Sequence, residues 1–326
     1  MSSPGASQAI MRPDLRNAVA EEWNASGEAA MFTADLIANR VDVPNASGTI
    51  KRIPREAYTK DANSVSRGPD GSYPEVEWGD ETLTYMTKEE GLAVPIDQNL
   101  AAQTKLYYDA ERAATRIALS KLRRAHEAKV AAAVFNTSTF TGASLTTAIT
   151  TDWRDEANAT PIDDINGSRA KVRENCGRLP NSVIMPWVTW ENLVQCEQIL
   201  DRINGGATSD NPAIAQMLNV AKLFQVDRII IAGGIKDTAK QGQAFVGGNI
   251  WNPDYVMVAY INPAAGLYDI NLCNCYNWEG DGGSFDYTVE RYYSEEKRRE
   301  VVRARRQVGV KVEYPECGHL LTGANS

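Results

Sequence analysis

Residues 97–136, DQNLAAQTKLYYDAERAATRIALSKLRRAHEAKVAAAVFN, run without a glycine or proline. Pro95 and Asp97 stand at the front of this stretch, where helix-start chemistry expects such residues. Leu100, Leu106, Tyr107, Ala110, Ala113, Ile117, Leu122, Ala125, Val130 and Val134 form an approximate stripe at helical spacing. The pattern predicts one helix about 60 Å long at about 1.5 Å per residue. A typical globular helix is only about three turns. So long a helix is a spine crossing one face of a domain, and its many alanines predict close backbone packing. Arg112, Arg116, Lys121, Arg123, Arg124 and Lys129 make it basic, as expected of an exposed face or of salt bridges between subunits.

Upstream of the spine, residues 1–47 lack the density of a core. Leu15, Val19, Trp23, Met31, Phe32, Leu36 and Ile37 recur at rough helical spacing, interrupted by Gly27. This predicts an arm of one or two short amphipathic helices that need an outside surface. Residues 48–90 then change character. TIKRIPR (49–55) and VEWGDETLTYM (76–86) are strand-like, with a polar, turn-rich stretch from Lys60 to Ser72 between them. They predict a long hairpin, and a two-stranded hairpin is marginal alone. It is therefore expected to lie on a neighbouring molecule.

Downstream, Phe140–Thr160 is a Thr/Ala/Ser-rich connector, and the rhythm then becomes α/β. Helices are expected at Ile162–Asn175, at Trp187–Ile203 before the Gly205-Gly206 turn, and from Asn211-Pro212 to Phe224. Strands are expected at Ser182–Met185, from Asp227, and at Tyr255–Ile261. From Phe285 the chain is strand-like again, with Val308, Val310 and Val312 alternating behind the charge-dense stretch Glu295–Arg306.

The chain has 326 residues, 43% hydrophobic and 23% charged, enough for about two domains without disulfide or metal staples. No apolar run approaches the roughly 20 residues of a membrane span, and the N-terminus shows no secretory pattern. A net charge of −8 argues against a dedicated nucleic-acid binder. Five cysteines, an odd number, suggest reduced thiols. Two histidines are few for histidine-dependent catalysis or a metal site.

The constellations point the same way. IIIAGG (229–234) lacks both GxGxxG and GxxxxGK[ST] and reads as a buried strand ending in a turn. Cys273, Cys275, Cys317 and His319 are zinc-ligand types at the wrong spacing. Asp163 and Asp164 follow Thr160-Pro161 and suit the N-terminal turn of a helix. Trp187 and Trp190 read as core. No catalytic residue, metal or cofactor is expected.

The ordered series is more specific than any motif. It runs through LTYMTKEEGLAVPID (83–97), the spine, LPNSVIM (179–185) and AQMLNVAKLFQVDRIIIA (215–232). It continues with IWNPDYVMVAY (250–260), VERYYSEEKRR (289–299) and ECGHLL (316–321). Over nearly the whole chain this resembles the major capsid proteins of tailed bacteriophages, the Hong Kong 97-like capsid family. The resemblance implies an α+β fold with an N-terminal arm (1–47) and an extended β-hairpin loop (48–90). It implies a peripheral domain (91–160 and 285–326) carrying the spine helix (97–136), and an axial α/β domain (161–284).

It also implies a structural, non-enzymatic late protein of the virion, assembled in the host cytoplasm. Copies would form pentamers and hexamers that close an icosahedral shell around double-stranded DNA, without sequence-specific binding and with no membrane. A portal, separate scaffolding and decoration proteins are the implied partners. Under this reading the basic spine could also face the DNA backbone weakly. The alternatives are an encapsulin-type compartment of the same fold and an α/β small-molecule-binding enzyme using residues 161–284. For assembly, Arg298, Arg299, Arg303 and Arg305 are expected to pair with Glu75, Glu77, Asp80 and Glu81 of a neighbour's hairpin, since arginine favours planar interface contacts.

Overall fold

The computed structural model describes residues 9–61, 65–67, 71–76, 79–97, 109–204, 217–240, 242–266, 268–278, 280, 287–295 and 297–325. In chain order the first elements are β1 (Ile10–Met11), α1 (Pro13–Ser26), α2 (Ala34–Ile37), β2 (Asn39–Val43), β3 (Ser47–Arg52) and α3 (Glu56–Thr59). Then come β4 (Glu81–Met86), β5 (Lys88–Asp97), the spine α4 (Ala110–Val134), β6 (Thr146–Ala148), α5 (Pro161–Cys176) and β7 (Ser182–Pro186). They are followed by α6 (Trp187–Leu193), α7 (Glu197–Asn204), α8 (Met217–Leu223), β8 (Arg228–Ala232), β9 (Ile235–Asp237) and β10 (Gly247–Asn249). The chain ends with β11 (Tyr255–Ala259), β12 (Cys273–Trp278), β13 (Thr288–Ser294), β14 (Arg299–Val312) and β15 (Gly318–Thr322).

The spine starts later than its sequence suggests. Asp109 caps it, accepting hydrogen bonds from the amides of Glu111 and Arg112. Pro95 and Asp97 belong instead to β5, paired with Val301 and Arg299. Among the described residues β5 pairs with β14 alone, and an edge strand tolerates a proline that cannot donate to a ladder. Residues 98–108, including Leu100, Leu106 and Tyr107, lie outside the described residues. The buried stripe of α4 runs through Ala114, Ala118, Leu119, Leu122, Val130 and Val134, and Ile117 points outward, 47% exposed.

Two sheets share a continuous core. One has the order β1-β13-β14-β12-β2, with β5 also on β14. The spine lies across it, packing Ala118, Leu119 and Leu122 with Val289, Val302 and Ala304. The other has the order β6-β15-β11-β7-β8. Alternation splits its side chains: Val183, Met185, Val256 and Val258 face a cluster with Trp190, Leu193, Ile199 and Phe224. Ile184, Met257 and Ala259 face the opposite cluster, shared with Val130 and Val134 of the spine and with Cys273 and Cys275.

The pairings cut across the expected domain boundaries. β12, from the segment 161–284, pairs with β14 and β2 in the spine's sheet. β6 and β15, from segments expected in the peripheral domain, join β11 in the other sheet. Apolar alternation marks a strand but not its partner. The stretch Trp187–Ile203 is likewise two helices, because the Glu197 amide bonds to Glu156 O (2.9 Å) and Cys196 turns into the core. Trp190 is buried as expected, whereas Trp187 is 53% exposed. Residues 205–206 and 211–216 lie outside the described residues. Charged residues 299–306 do not precede the valine strand but form its first half: Val302, Ala304, Arg306 and Val308 are buried on one face of β14.

Candidate assembly surface

The arm is covered by its own chain. Leu15, Val19 and Trp23 on α1 are buried, and Val19 and Trp23 pack in the cluster with Ala114 and Ala118 of the spine. The basic residues of α4 complete this contact. Glu22 pairs with Arg112 (3.2 Å) and Arg116, and Glu28 with Arg116 (3.5 Å) and Arg124 (3.8 Å). Arg123 lies over the rings of Trp23 (5.1 Å) and Phe32 (4.8 Å). The expectation of an outside surface for the arm is corrected on this point: small spine residues give the indole room, and the charges match.

A buried carboxylate fixes the next turn. Glu127, fully buried on α4, accepts hydrogen bonds from the Thr33 amide (3.0 Å), the Thr33 hydroxyl (2.9 Å), the Ala34 amide (2.8 Å) and the Trp251 indole (2.7 Å). It thus satisfies the buried amides left without helical partners at the start of α2 and ties arm, spine and the β10–β11 connection together. Sequence reading passed over this residue. Its signal was a carboxylate three and seven positions before Val130 and Val134, within the apolar stripe.

The hairpin is rooted by β3 and β4, paired from Ser47↔Met86 to Arg52↔Glu81. Ile50 and Tyr85 pack on Val41, Val43 and Tyr276, so the root also sits on its own chain. Beyond the root the described apolar side chains lose their cover. Val65, Tyr73 and Val76 are 83%, 72% and 68% exposed. Other large apolar side chains stand out on β1 (Ile10, Met11), on α8 (Leu218) and around the β9–β10 pair (Phe245, Val246). Exposed apolar groups on projecting elements are suited to contacts between molecules.

Among the expected interface residues, Glu75 is exposed on the hairpin and Glu77 lies outside the described residues. Asp80 pairs with Lys51, and Glu81 with Arg52 (2.6 Å), across the hairpin root. Arg298 is exposed in the β13–β14 turn with φ 45°. The Arg299 Nε finds no hydrogen-bond partner among the described residues. Arg303 and Arg305 both converge on Glu290, at 2.9 and 3.1 Å from their Nε atoms. Burial alone would raise the Glu290 pKa, but the hydrogen bonds from Arg303 and Arg305 outweigh it and hold the carboxyl below its usual range. The structure therefore gives Asp80, Glu81, Arg303 and Arg305 partners within the chain.

The four zinc-type residues face separate surroundings. Cys273 and Cys275 share a buried face of β12, and Cys317 meets Cys176. His319 Nδ1 and Nε2 lie 3.0 Å from the Ser168 hydroxyl and 3.2 Å from the Thr147 hydroxyl. Burial, reinforced by Lys171, pushes the His319 pKa down to about 4. Asp163 and Asp164 occupy the first turn of α5 and accept from Gln198 Nε2 and Trp153 Nε1.

No protein-family model matches the sequence, and no curated protein matches it. Solved structures do. A phage-related protein from Bordetella bronchiseptica RB50 is 15% identical and matches 97% of this chain and 98% of its own, with a TM-score of 0.68. The capsid structure of the cyanophage P-SCSP1u is 13% identical over 91% of this chain and 89% of its own, with a TM-score of 0.56. An encapsulin complex from Synechococcus elongatus PCC 7942 is 9% identical over 90% and 89%, with a TM-score of 0.53. The chain has the Hong Kong 97-like capsid fold, a mixture of helix and sheet.

Proposed function

We propose that this chain is the major capsid protein of a tailed bacteriophage. Its copies form pentamers and hexamers that close an icosahedral head around double-stranded DNA, with no catalytic role. A portal is a further partner of such a head. The observation that carries the reading is the hairpin: its root is anchored in the subunit of a shell-forming fold, while Val65, Tyr73 and Val76 stay largely exposed. The acidic net charge of −8 suits a wall that holds DNA without adhering to it. In the same reading, Arg298 and Arg299 meet hairpin acids of the next subunit.

An encapsulin-type compartment is the second reading, favoured by the match to the Synechococcus shell. Negative-stain microscopy of the purified protein, alone and with co-expressed scaffold, tests both. Rings and closed shells are expected. A protein that stays monomeric under every salt and scaffold condition overturns both readings. Contents then separate them: nuclease-protected DNA supports the head, and a packaged enzyme without DNA supports the compartment.

A further inference from the structure

The hairpin root stands on two segments far apart in sequence. Arg55 Nη1 donates to Asn175 O, at the end of α5. Arg52 Nη1 donates to Glu313 O, and its guanidinium lies 4.9 Å from the centre of the Tyr314 ring. Next to these footholds are Cys176 and Cys317, separated by 141 positions. Their sulfur atoms are 2.6 Å apart, about 0.5–0.6 Å beyond a covalent S–S bond. Cys176 is 5% exposed and Cys317 is fully buried. A cavity of about 80 Å³ under the hairpin root, lined by Arg52, Arg55, Tyr314 and Glu316, reaches both.

We propose that Cys176 and Cys317 are a redox pair that a small peroxide closes into an intrachain disulfide, stapling together the two segments beneath the hairpin. The cavity gives hydrogen peroxide a path to the sulfur atoms. The Cys176 thiolate attacks one peroxide oxygen, the O–O bond breaks, and hydroxide leaves, giving a sulfenic acid. Cys317 sulfur then attacks the Cys176 sulfur, the S–S bond forms and the S–O bond breaks. The thiol protons end in water, so two thiols and one peroxide give one disulfide and two waters.

Access assigns the roles: Cys176 keeps 5% of its surface exposed and Cys317 none, so peroxide meets Cys176 first. A hydrogen bond from the Cys317 thiol favours the Cys176 thiolate against the opposing effect of burial. Burial pushes Cys196 up to about 11 and Cys275 up to about 12, and pushes Cys273 up as well. Those three remain thiols of low reactivity.

The test treats the folded, full-length protein with hydrogen peroxide, alkylates it in denaturant and maps the peptides. The expected product is the linked Cys176–Cys317 peptide pair, two hydrogens lighter, with Cys196, Cys273 and Cys275 alkylated. Thermal unfolding should shift up by about 5 °C and return on reduction, because the staple closes a long loop. Cys317→Ser should stop the reaction at a sulfenic acid on Cys176 that dimedone captures. Five alkylated cysteines after peroxide, a sulfinic acid at Cys176 without a link, or a link through any other cysteine overturns the proposal. Peptide mapping of the unsubstituted protein decides by itself if the serine variant does not fold. None of these readouts depends on shell formation.

Discussion

The N-terminal arm and the hairpin carry similar sequences, with sparse apolar residues in polar surroundings, yet they end in opposite situations. The arm buries Val19 and Trp23 against the spine of its own subunit and adds ion pairs from Glu22 and Glu28. Among the described residues the hairpin buries side chains at its root, and Val65, Tyr73 and Val76 face outward. An amphipathic stretch therefore does not reveal by itself whether its partner is its own chain or another molecule. The partner surface decides. For the arm, Ala114 and Ala118 leave space for an indole, and Arg112, Arg116 and Arg124 supply the opposite charge. The described residues present no such face to the exposed side chains of the hairpin.

This contrast can be broken by measurement. Trp23→Ala should destabilise the subunit by about 3–5 kcal/mol in urea unfolding, the usual effect of emptying a buried tryptophan site. A change below about 1 kcal/mol would place the arm elsewhere than on the spine. Glu127→Ala should remove about 2–3 kcal/mol, because it orphans buried donors on Thr33, Ala34 and Trp251. Protease sensitivity should rise first within residues 28–43, and unchanged cleavage there would argue against a latch.

Acid sharpens the picture of the interior. The folded-state pKa of His319, about 4, lies below its ordinary 6.5, so the unfolded chain binds that proton more readily. The stability from this neutral histidine is intact above about pH 6.5 and is lost as pH falls toward 4. Replacing His319 with Asn should flatten the denaturation midpoint across that window. An unchanged slope would mean that the ring is not held neutral.

The smallest effects on the subunit belong to the hairpin and the β13–β14 turn. Val76→Asp should move subunit stability by less than about 0.5 kcal/mol while sharply lowering the yield of assembled particles in light scattering. Full assembly of this variant would erase the contrast with the arm. Arg298→Glu with Arg299→Glu should likewise spare folding and weaken assembly most at low salt, since exposed pairs contribute only about 0–1 kcal/mol each. Partial rescue by Glu75→Lys would identify its partner, and normal assembly at every salt concentration would make the turn a solvated face.

Local pattern carried much of the fold. The short apolar runs around Val183 and Val256 and the alternation of Val308, Val310 and Val312 marked strands, and the Thr160-Pro161 start marked α5. The ordered series of segments pointed to the capsid fold. Pro95 misled, because the same residue opens a helix or occupies an edge strand, and only the pairing with Val301 distinguishes them. The sheet membership of β12 and β15 depends on partners far away in sequence, which periodicity does not encode. The interface was less legible. Arg303 and Arg305 looked available for a neighbour, but Glu290, thirteen and fifteen positions earlier, engages both across the β13–β14 hairpin. The expected pairing of the arginines with hairpin acids rests on residues such as Glu75 and Arg298 that stay exposed.

The two edges of the larger sheet have a consequence in time. β1 lies beside β13, and β2 lies beside β12, so one short N-terminal segment closes the sheet on both sides. These strands leave the ribosome before their partners, which lie beyond residue 270. At ordinary rates of synthesis they wait roughly tens of seconds before they can pair. Until then β1 and β2 have no partner, and unpaired strands invite aggregation. Closure of the sheet is thus a late, long-range step, and the edges of β12 and β13 stay open until the arm docks.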